Sequence, residues 1–473
     1  MLARKIALNT IVSFLARIVG TGLALITIGL VTRYLTKSEW GEYSLVLTFG
    51  GIFAVIAEWG LYQLMIRDIS CPGADEQKIS SNIFTLRLIS SLFVFAMAPL
   101  ISLALPYSNQ ARFAILIGMA GFWLLSGAQV LMGVFQKYLR MDKVAVAEIA
   151  GRIIQLGLIF IFIEMNFGFM WIVATLIFGS LVNFLLIFWF VQRYIGVRLS
   201  FDFYFWKKSL IQSFPLAVSN ILVMIYFSTD SLFLSVFNPV ADVGIYRLPY
   251  KILESLIFFP SMFVGLVMPL LSQTAFFNWP RFKNIFQRSF DALIIFAVPL
   301  ILGTFVLSPA IINILGGGNY PESVPVLNIL IIAVGTIFCS TLFSFSLIAL
   351  KKQKNLMMIS GIGAVFNVAA NLILIPRYSY FAAASTTVLT ETLVAVLMLW
   401  SLWGYFHFVS SIKVFLKSVA AALIMTLVIW YFRSWNMFLL LALAPLVYFG
   451  PLYLIRGFSA SEVLKLLEKD ASS

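Results

Sequence analysis

The chain has 473 residues, of which 62% are hydrophobic and only 11% are charged, and its mean hydropathy is +1.01. Soluble globular domains carry about 45–50% apolar and about 25% charged residues. This composition therefore excludes a mainly soluble protein and predicts that most of the chain lies in lipid. The net charge of +13 is scattered between apolar runs, which argues against nucleic-acid binding. One His and two Cys leave little material for a metal site or a disulfide framework, so we expect no cofactor and no metal.

Apolar runs long enough to cross a bilayer follow one another along nearly the whole chain. A spanning helix needs about 20 mainly apolar residues, and backbone inside hydrocarbon must satisfy its own hydrogen bonds. The runs therefore predict an all-α polytopic membrane protein with about fourteen transmembrane helices. The predicted spans are residues 9–32, 42–65, 81–104, 111–135, 144–164, 168–192, 210–237, 244–272, 286–314, 325–349, 355–376, 380–404, 413–431 and 436–455.

Basic residues concentrate in alternate loops between these spans, and cytoplasmic loops are the ones enriched in Lys and Arg. This rule places both termini in the cytoplasm, and we expect a multi-pass protein of the cell (inner or plasma) membrane. The predicted cytoplasmic segments hold Arg4, Lys5, Arg67, Lys78, Lys137, Arg140, Lys143, Arg193, Arg198, Lys207, Lys208, Arg281, Lys283, Arg288, Lys351, Lys352, Lys354, Lys413, Lys417, Arg456, Lys465 and Lys469. The opposite loops and their edges hold only Arg33, Lys37, Arg112, Arg377 and Arg433. These outer loops are too short for a catalytic domain, so we expect no enzyme activity.

A five-residue pattern, acidic-x-Gly-x-Tyr, occurs twice in the chain, at Glu39–Tyr43 and again 203 residues later at Asp242–Tyr246. Each copy lies at the predicted outer entrance of an even-numbered span. Six spans in each repeat keep both halves in the same orientation, related by an axis along the membrane normal. A cleft between the two halves is the expected substrate site.

Several longer stretches of the chain form a recognisable set in order and spacing. They are Leu30–Ser44, Ala57–Leu61, Ile66–Ile69, Asp230–Ser235, Val243–Arg247 with Tyr250 and Lys251, Leu315–Tyr320, and Pro325–Leu330. These stretches resemble the bacterial polysaccharide repeat-unit flippases, which carry lipid-linked oligosaccharides of the O-antigen type and belong to the multidrug/oligosaccharidyl-lipid/polysaccharide exporter superfamily. The resemblance runs from about residue 6 to 405, and the last two spans match only in hydrophobicity.

The resemblance implies two six-helix bundles around a central cavity, at 1–205 and 206–408, with two additional helices and a short cytoplasmic tail at 409–473. It also implies transport of undecaprenyl-pyrophosphate-linked repeat units from the cytoplasmic to the outer leaflet by alternating access, for cell-surface polysaccharide biosynthesis. The partners would be the bilayer, the lipid-linked glycan and other polysaccharide-assembly membrane proteins. An ion-coupled multidrug exporter of the same superfamily is the alternative, although several buried cations fit poorly with cationic drugs.

Three arginines of the first half lie inside predicted spans, each about 9–12 Å from the cytoplasmic side at about 1.5 Å per residue. A charge at this depth must face water or a partner. Arg17, Arg87 and Arg152 are therefore candidates to bind the pyrophosphate, because Arg grips such anions with paired hydrogen bonds. The alternative is pairing with local acids, for which Glu58 and Glu148 are the candidates.

A second charged group lies in the eighth predicted span, where Arg247, Lys251 and Glu254 share one helix face. Asp230, in the preceding span, reaches the same outer half and is a natural counter-ion for Arg247 or Lys251. The group has two readings, a structural or gating pair and a substrate contact. With the cations of the first half, it would offer positive charge first near the cytoplasm and then near the exterior.

Two further acids are embedded in predicted spans of the second half, Asp291 and Glu391. Either could carry a proton in gradient-coupled transport, because ionisable groups inside membranes are costly and usually functional. Their positions do not identify the coupling ion.

Overall fold

The computed structural model describes residues 2–71, 73–275, 277–406 and 412–455. Side chains are described from Phe14 onward, apart from those of residues 215, 216, 219, 220, 222, 223, 225–227, 405 and 406. The predicted cytoplasmic tail with Arg456, Lys465 and Lys469 lies outside the described residues, as do the side chains of Arg4 and Lys5.

Every regular element in the described ranges is a helix, which confirms the predicted all-α class. The helices are α1 (Leu2–Tyr34), α2 (Lys37–Glu58), α3 (Leu61–Ile69), α4 (Glu76–Leu103), α5 (Asn109–Lys137), α6 (Met141–Glu164), α7 (Phe169–Gln192), α8 (Phe203–Phe237), α9 (Val240–Thr274), α10 (Trp279–Gly316), α11 (Ser323–Ala349), α12 (Gln353–Phe406), α13 (Lys413–Tyr431) and α14 (Met437–Leu454).

Twelve stretches of the described residues are long and apolar enough to cross a membrane. One of them, Gln353–Gly404, has 52 residues, or about 78 Å of helix against about 30 Å of hydrocarbon, so it must cross twice. Its break is Ser379, at φ 48° and ψ −130°, between the predicted spans 355–376 and 380–404. Helix α8 has 35 residues and covers the predicted span 210–237. The described helices thus account for the fourteen predicted spans.

The second predicted span differs from expectation because it is broken near its cytoplasmic end into α2 and α3. Trp59 and Gly60 both adopt left-handed conformations, with φ 45° and φ 70°. The cost of this conformation at Trp59 is offset by contacts of its indole ring, which packs on Phe214 with a centroid distance of 6.1 Å. Its Nε1 also donates to the carbonyl of Leu210 at 3.4 Å. The break leaves Glu58 as the last residue of α2.

The chain divides into two compact units, and the first contains Met1–Arg247 with Leu315–Asn319. Its apolar core joins α3 to α7, with Leu64, Phe84, Leu131 and Ile187 among its buried members. Small residues let its helices approach closely, as in many membrane bundles. A Cβ at Gly151 would lie 2.6 Å from the carbonyl oxygen of Gly179, so α6 and α7 touch there through their backbones.

The second unit contains Leu248–Ile314 and Tyr320–Ser473, and its description ends at Ile455. Here α13 and α14 pack on α10 through a core that includes Ile294, Val298, Met425 and Leu440. The Tyr448 hydroxyl donates to the carbonyl of Ile295 at 2.8 Å, which fastens α14 to α10. The division into bundles at 1–205 and 206–408 remains a prediction, because the compact units are divided elsewhere along the chain.

An extended segment joins α7 to α8 and is bound along the first turns of α4. Its alternate backbone amides donate to side chains of that helix: Arg198 to Ser81 at 3.0 Å, Ser200 to Thr85 at 2.9 Å and Asp202 to Asn82 at 3.0 Å. Every second residue of the segment donates in this way, which is the periodicity of an extended strand. The acceptors are side chains of a helix instead of the backbone of a neighbouring strand. This linker, residues 193–202, is therefore fixed to the first unit.

Candidate functional site

Arg17 on α1 and Arg152 on α6 form an exposed pair of cations inside the first unit. The Nε of Arg152 lies 3.4 Å from the position that a Cβ would take at Gly20, one helical turn after Arg17. The two guanidinium groups repel each other electrostatically, and Glu148 attracts Arg152. Two cations beside one acid leave net positive charge on this surface. Such a surface can bind a phosphate or carboxylate through paired hydrogen bonds.

Arg87 on α4 is in a different environment, because its side chain is only 1% exposed. None of its three guanidinium nitrogens has a hydrogen-bond partner among the described residues. The acid that attracts it is Glu58, at the end of α2 beside the helix break. The structure thus separates Arg87 from the exposed pair Arg17 and Arg152, although the sequence placed all three at a similar depth.

Asp230, the acid of the predicted outer charged group, accepts a hydrogen bond from a hydroxyl in the first unit. Asp230 on α8 is buried, and its Oδ2 accepts a hydrogen bond of 2.9 Å from the Tyr246 hydroxyl on α9. Arg247, predicted as a counter-ion, follows Tyr246 directly and is half-buried. Tyr246 was not among the predicted site residues, although it is the last residue of the repeated motif.

In the second unit, Lys251 and Glu254 form an ion pair on α9, with 2.7 Å between Nζ and Oε2. Both side chains are one-third exposed, so the pair borders solvent or a polar space. Asp291 on α10 accepts a hydrogen bond of 2.8 Å from Gln287, one turn earlier on the same helix. These three charged residues are each engaged within their own helix.

Glu391 is buried in α12 beside a polar cluster that sequence reasoning missed. Asn371 donates to Asn367 at 3.0 Å, and Asn367 donates to Thr390 at 3.4 Å, which brings both halves of α12 together. The sequence does indicate this cluster, because Asn and Thr residues occur there inside apolar spans. No group of three or more His, Cys, Asp or Glu side chains suited to a metal ion occurs in the part of the chain that the structure describes.

The two copies of the repeated motif pack against each other in the first unit, at the start of α2 and of α9. A Cβ at Gly41 would overlap the carbonyl oxygen of Val240, and a Cβ at Gly244 would lie 3.1 Å from the carbonyl oxygen of Lys37. Lys37 and Val240 are the first residues of the two helices. The contacts are reciprocal, and in each the partner residue stands four positions before its own glycine.

The indole of Trp40 completes this contact, which we call the glycine crossing (Lys37–Gly41 with Val240–Gly244). Its Nε1 donates to the carbonyl of Gly244 at 3.0 Å, and its ring is 2% exposed. The motif glycines therefore serve backbone approach, because any side chain there would separate the helices. On the predicted topology the glycine crossing lies at the outer side.

Glu42, inside the first motif, is a second functional candidate that sequence reasoning missed. It is 6% exposed, and its Oε1 accepts a hydrogen bond of 2.6 Å from Ser108 at the start of α5. The predicted span began at residue 42, which placed this acid at the membrane edge. Helix α2 begins at Lys37 instead, so Glu42 lies more than one turn inside it.

Charged side chains inside a bundle of membrane-crossing helices are typical of polytopic membrane transporters. The chain belongs to the polysaccharide biosynthesis protein family, whose family model matches residues 6–275. This membership confirms the resemblance found in the sequence. A protein of Haloferax volcanii named probable low-salt glycan biosynthesis flippase Agl15 is 25% identical over 405 residues, which are 83% of this chain and 82% of that protein.

Solved structures share the fold at low sequence identity. The inward closed conformation of the lipid II flippase MurJ superposes with a TM-score of 0.73 at 15% identity, covering 95% of this chain and 99% of that one. An inward-facing multidrug resistance MATE transporter of the MOP superfamily gives 0.67 at 14% identity, covering 84% and 98%. An outward-facing MATE transporter gives 0.53 at 15% identity, covering 82% and 95%. The chain therefore shares its fold with these solved structures.

Proposed function

We propose that this protein is a flippase that moves undecaprenyl-pyrophosphate-linked oligosaccharide repeat units from the cytoplasmic to the outer leaflet. The product serves cell-surface polysaccharide biosynthesis. The protein is a transporter and not an enzyme, it resides in the inner membrane, and both termini face the cytoplasm. The polyprenyl tail stays in lipid while the polar head group crosses through a cationic space by alternating access.

The exposed pair Arg17 and Arg152 is the observation that carries this proposal. Two guanidinium groups inside membrane helices are expensive unless they border water or an anion, and their mutual repulsion adds to that cost. A pyrophosphate relieves both, because its oxygens accept paired hydrogen bonds from each guanidinium. The family membership and the likeness to Agl15 support a lipid-linked glycan as the molecule that carries this anion.

The remaining cations have secondary roles in the proposal. Arg87 is buried and is attracted by Glu58, so its role is structural and it does not bind substrate in this conformation. Arg247 and Lys251, on the predicted outer side, receive the head group after the protein has changed conformation. Lys251 must then exchange Glu254 for the anion, which makes that ion pair a gate.

The test is reconstitution of the purified protein in liposomes that carry a fluorescent polyprenyl-pyrophosphate oligosaccharide. Loss of label from the loaded leaflet should require the protein, and empty liposomes give the background rate. Proton and sodium gradients applied in separate runs identify the coupling ion. Absence of translocation together with gradient-driven efflux of a cationic dye would overturn the proposal in favour of a multidrug exporter.

A further inference from the structure

Glu42 is an acid in a buried position that the second copy of the motif fills with a hydrocarbon side chain. Glu42 follows Gly41, and Ile245 follows Gly244, so the two residues stand at equivalent places in the glycine crossing. Both are 6% exposed. Because isoleucine fills this position in the second copy, packing of the glycine crossing does not by itself call for an acid at position 42.

The hydrogen bonds around Glu42 suit a neutral carboxyl group better than an ionised one. Its Oε1 accepts from the Ser108 hydroxyl, which itself accepts the backbone amide of Ala111 at 2.9 Å. Its Oε2 is buried and has no hydrogen-bond partner among the described residues. A buried carboxylate needs a cation or several donors to offset its desolvation, whereas a neutral acid loses far less.

The charged residues around Glu42 also favour a neutral carboxyl group. Glu39, one turn earlier on α2, repels a negative charge at Glu42. Arg112, one turn after Ser108 on α5, donates instead to the carbonyls of Leu103 and Leu105 and to Asn109. The other charged residues near the starts of α2 and α9 and on the helix ends beside them are Lys37 on α2, Arg33 on α1, Asp230 on α8, and Asp242 and Arg247 on α9.

We propose that Glu42 is a proton-binding site, occupied while the glycine crossing is formed and emptied when α2 and α9 separate at the outer side. Separation would bring water to the carboxyl group and allow it to ionise. The ionised group would then oppose return to the buried position until it binds a proton again. The role of this step in releasing the glycan rests on the proposed function, whereas the protonation itself does not.

The sign of the pH dependence follows from proton linkage. The state with the glycine crossing formed binds one proton more than the separated state. Lower external pH therefore favours the formed glycine crossing, and higher external pH favours its separation. A residue that cannot ionise at position 42 should remove this dependence and leave the glycine crossing formed at every pH.

The experiment uses Val240→Cys as a reporter of separation, in a background with Cys71→Ser and Cys339→Ala. Val240 is half-buried against Gly41, so its cysteine should react slowly while the glycine crossing is formed. Full-length protein in oriented vesicles is labelled from the outer side with a membrane-impermeant maleimide. A maleimide of stable reactivity, normalised to a denatured sample at each pH, separates accessibility from thiol ionisation.

With Glu42 present, we expect the normalised labelling rate to rise by about tenfold between about pH 5 and about pH 8. Glu42→Gln and Glu42→Ile should label slowly and within about twofold of the same rate throughout. Ile is the residue that the second motif already holds there, so this variant should fold. Glu42→Asp should keep a pH-dependent rate. Labelling that rises with pH equally in Glu42→Ile, or that stays flat with Glu42 present, would overturn the proposal.

A second measurement detects the proton itself. The infrared band of a protonated carboxylic acid should be present at low pH with Glu42 and be reduced in Glu42→Gln. Neither measurement needs substrate, so the proposed function is tested separately by glycan translocation in the same vesicles. Proton binding without translocation would remove only the flippase, whereas translocation without the Glu42-dependent band would remove only this inference.

Discussion

The three arginines that the sequence places inside spans of the first unit lie in two different environments. Arg17 and Arg152 are exposed and repel each other, whereas Arg87 is buried beside Glu58. Because all three have a similar predicted depth in the membrane, the sequence predicted the same anion-binding role for each. The burial of Arg87 on α4 and its attraction to Glu58 at the end of α2 depend on how the helices pack, which hydropathy does not indicate.

The exposed pair should be required for transport and dispensable for folding. We expect Arg17→Ala with Arg152→Ala to lower the rate of glycan translocation by at least about tenfold, corresponding to about 1.4 kcal/mol of lost binding to the anion. Protein yield should be unchanged. Arg433→Ala is the matched control, because Arg433 packs over Trp430 at the end of α13, with 5.3 Å to the ring centroid. Normal translocation by the double variant would remove the pair from the mechanism.

Arg87 and Glu58 should instead contribute to stability, and removing Glu58 should destabilise the protein more than removing Arg87. Glu58→Gln removes the acid that attracts a guanidinium that is 1% exposed, so we expect this variant to unfold at a lower temperature than the parent. Arg87→Met leaves a half-buried acid and should cost less. The double variant should recover much of the loss, since an apolar replacement of both partners is often close to neutral. Thermal unfolding of the four proteins in detergent measures these differences, and a Glu58→Gln protein as stable as the parent would contradict the pairing.

At the scale of elements, hydropathy predicted where the chain crosses the membrane, because about 20 apolar residues admit few alternatives. It did not predict the break in the second span or the path of the linker at 193–202. Both depend on side chains distant in sequence, namely Phe214 for the break and Ser81, Asn82 and Thr85 for the linker. The linker also gains a local bond at its end, since the amide of Phe205 holds the pKa of the Asp202 carboxyl below its usual range.

Release of this linker should be visible to a protease. Ser81→Ala, Asn82→Ala and Thr85→Val together remove the acceptors of three backbone amides, so we expect tryptic cleavage at Arg198 to become at least about fivefold faster in detergent. Ser90→Ala is a suitable control, because the Ser90 hydroxyl donates within α4, to the carbonyl of Arg87 at 3.4 Å. Equal cleavage rates in the triple variant and the control would show that the linker is held by other contacts.

At the scale of the whole molecule, family and fold class could be predicted from the sequence, because spans and motifs extend over most of the chain. Individual site roles could not, since they depend on which helix faces meet. Glu42 is an example. It lies inside a motif that the sequence shows, but its burial depends on where α2 begins and on its contact with Ser108.

The two native cysteines provide a test of orientation without added tags. Cys71 is exposed in a loop predicted to be cytoplasmic, and Cys339 lies within α11. A membrane-impermeant maleimide should label the protein in inside-out vesicles at least about tenfold faster than in intact cells, because thiol reaction requires access. Cys71→Ser should abolish the signal. Strong labelling of Cys71 in intact cells would reverse the predicted topology.

The reciprocal pairing of Gly41 with Val240 and of Gly244 with Lys37 has the form of a symmetric contact. Contacts in which each partner presents the same patch are those of a twofold homodimer. Here both patches belong to one polypeptide, so they need not carry the same residues. The acid at position 42 and the isoleucine at position 245 are such a difference, which two identical subunits could not hold.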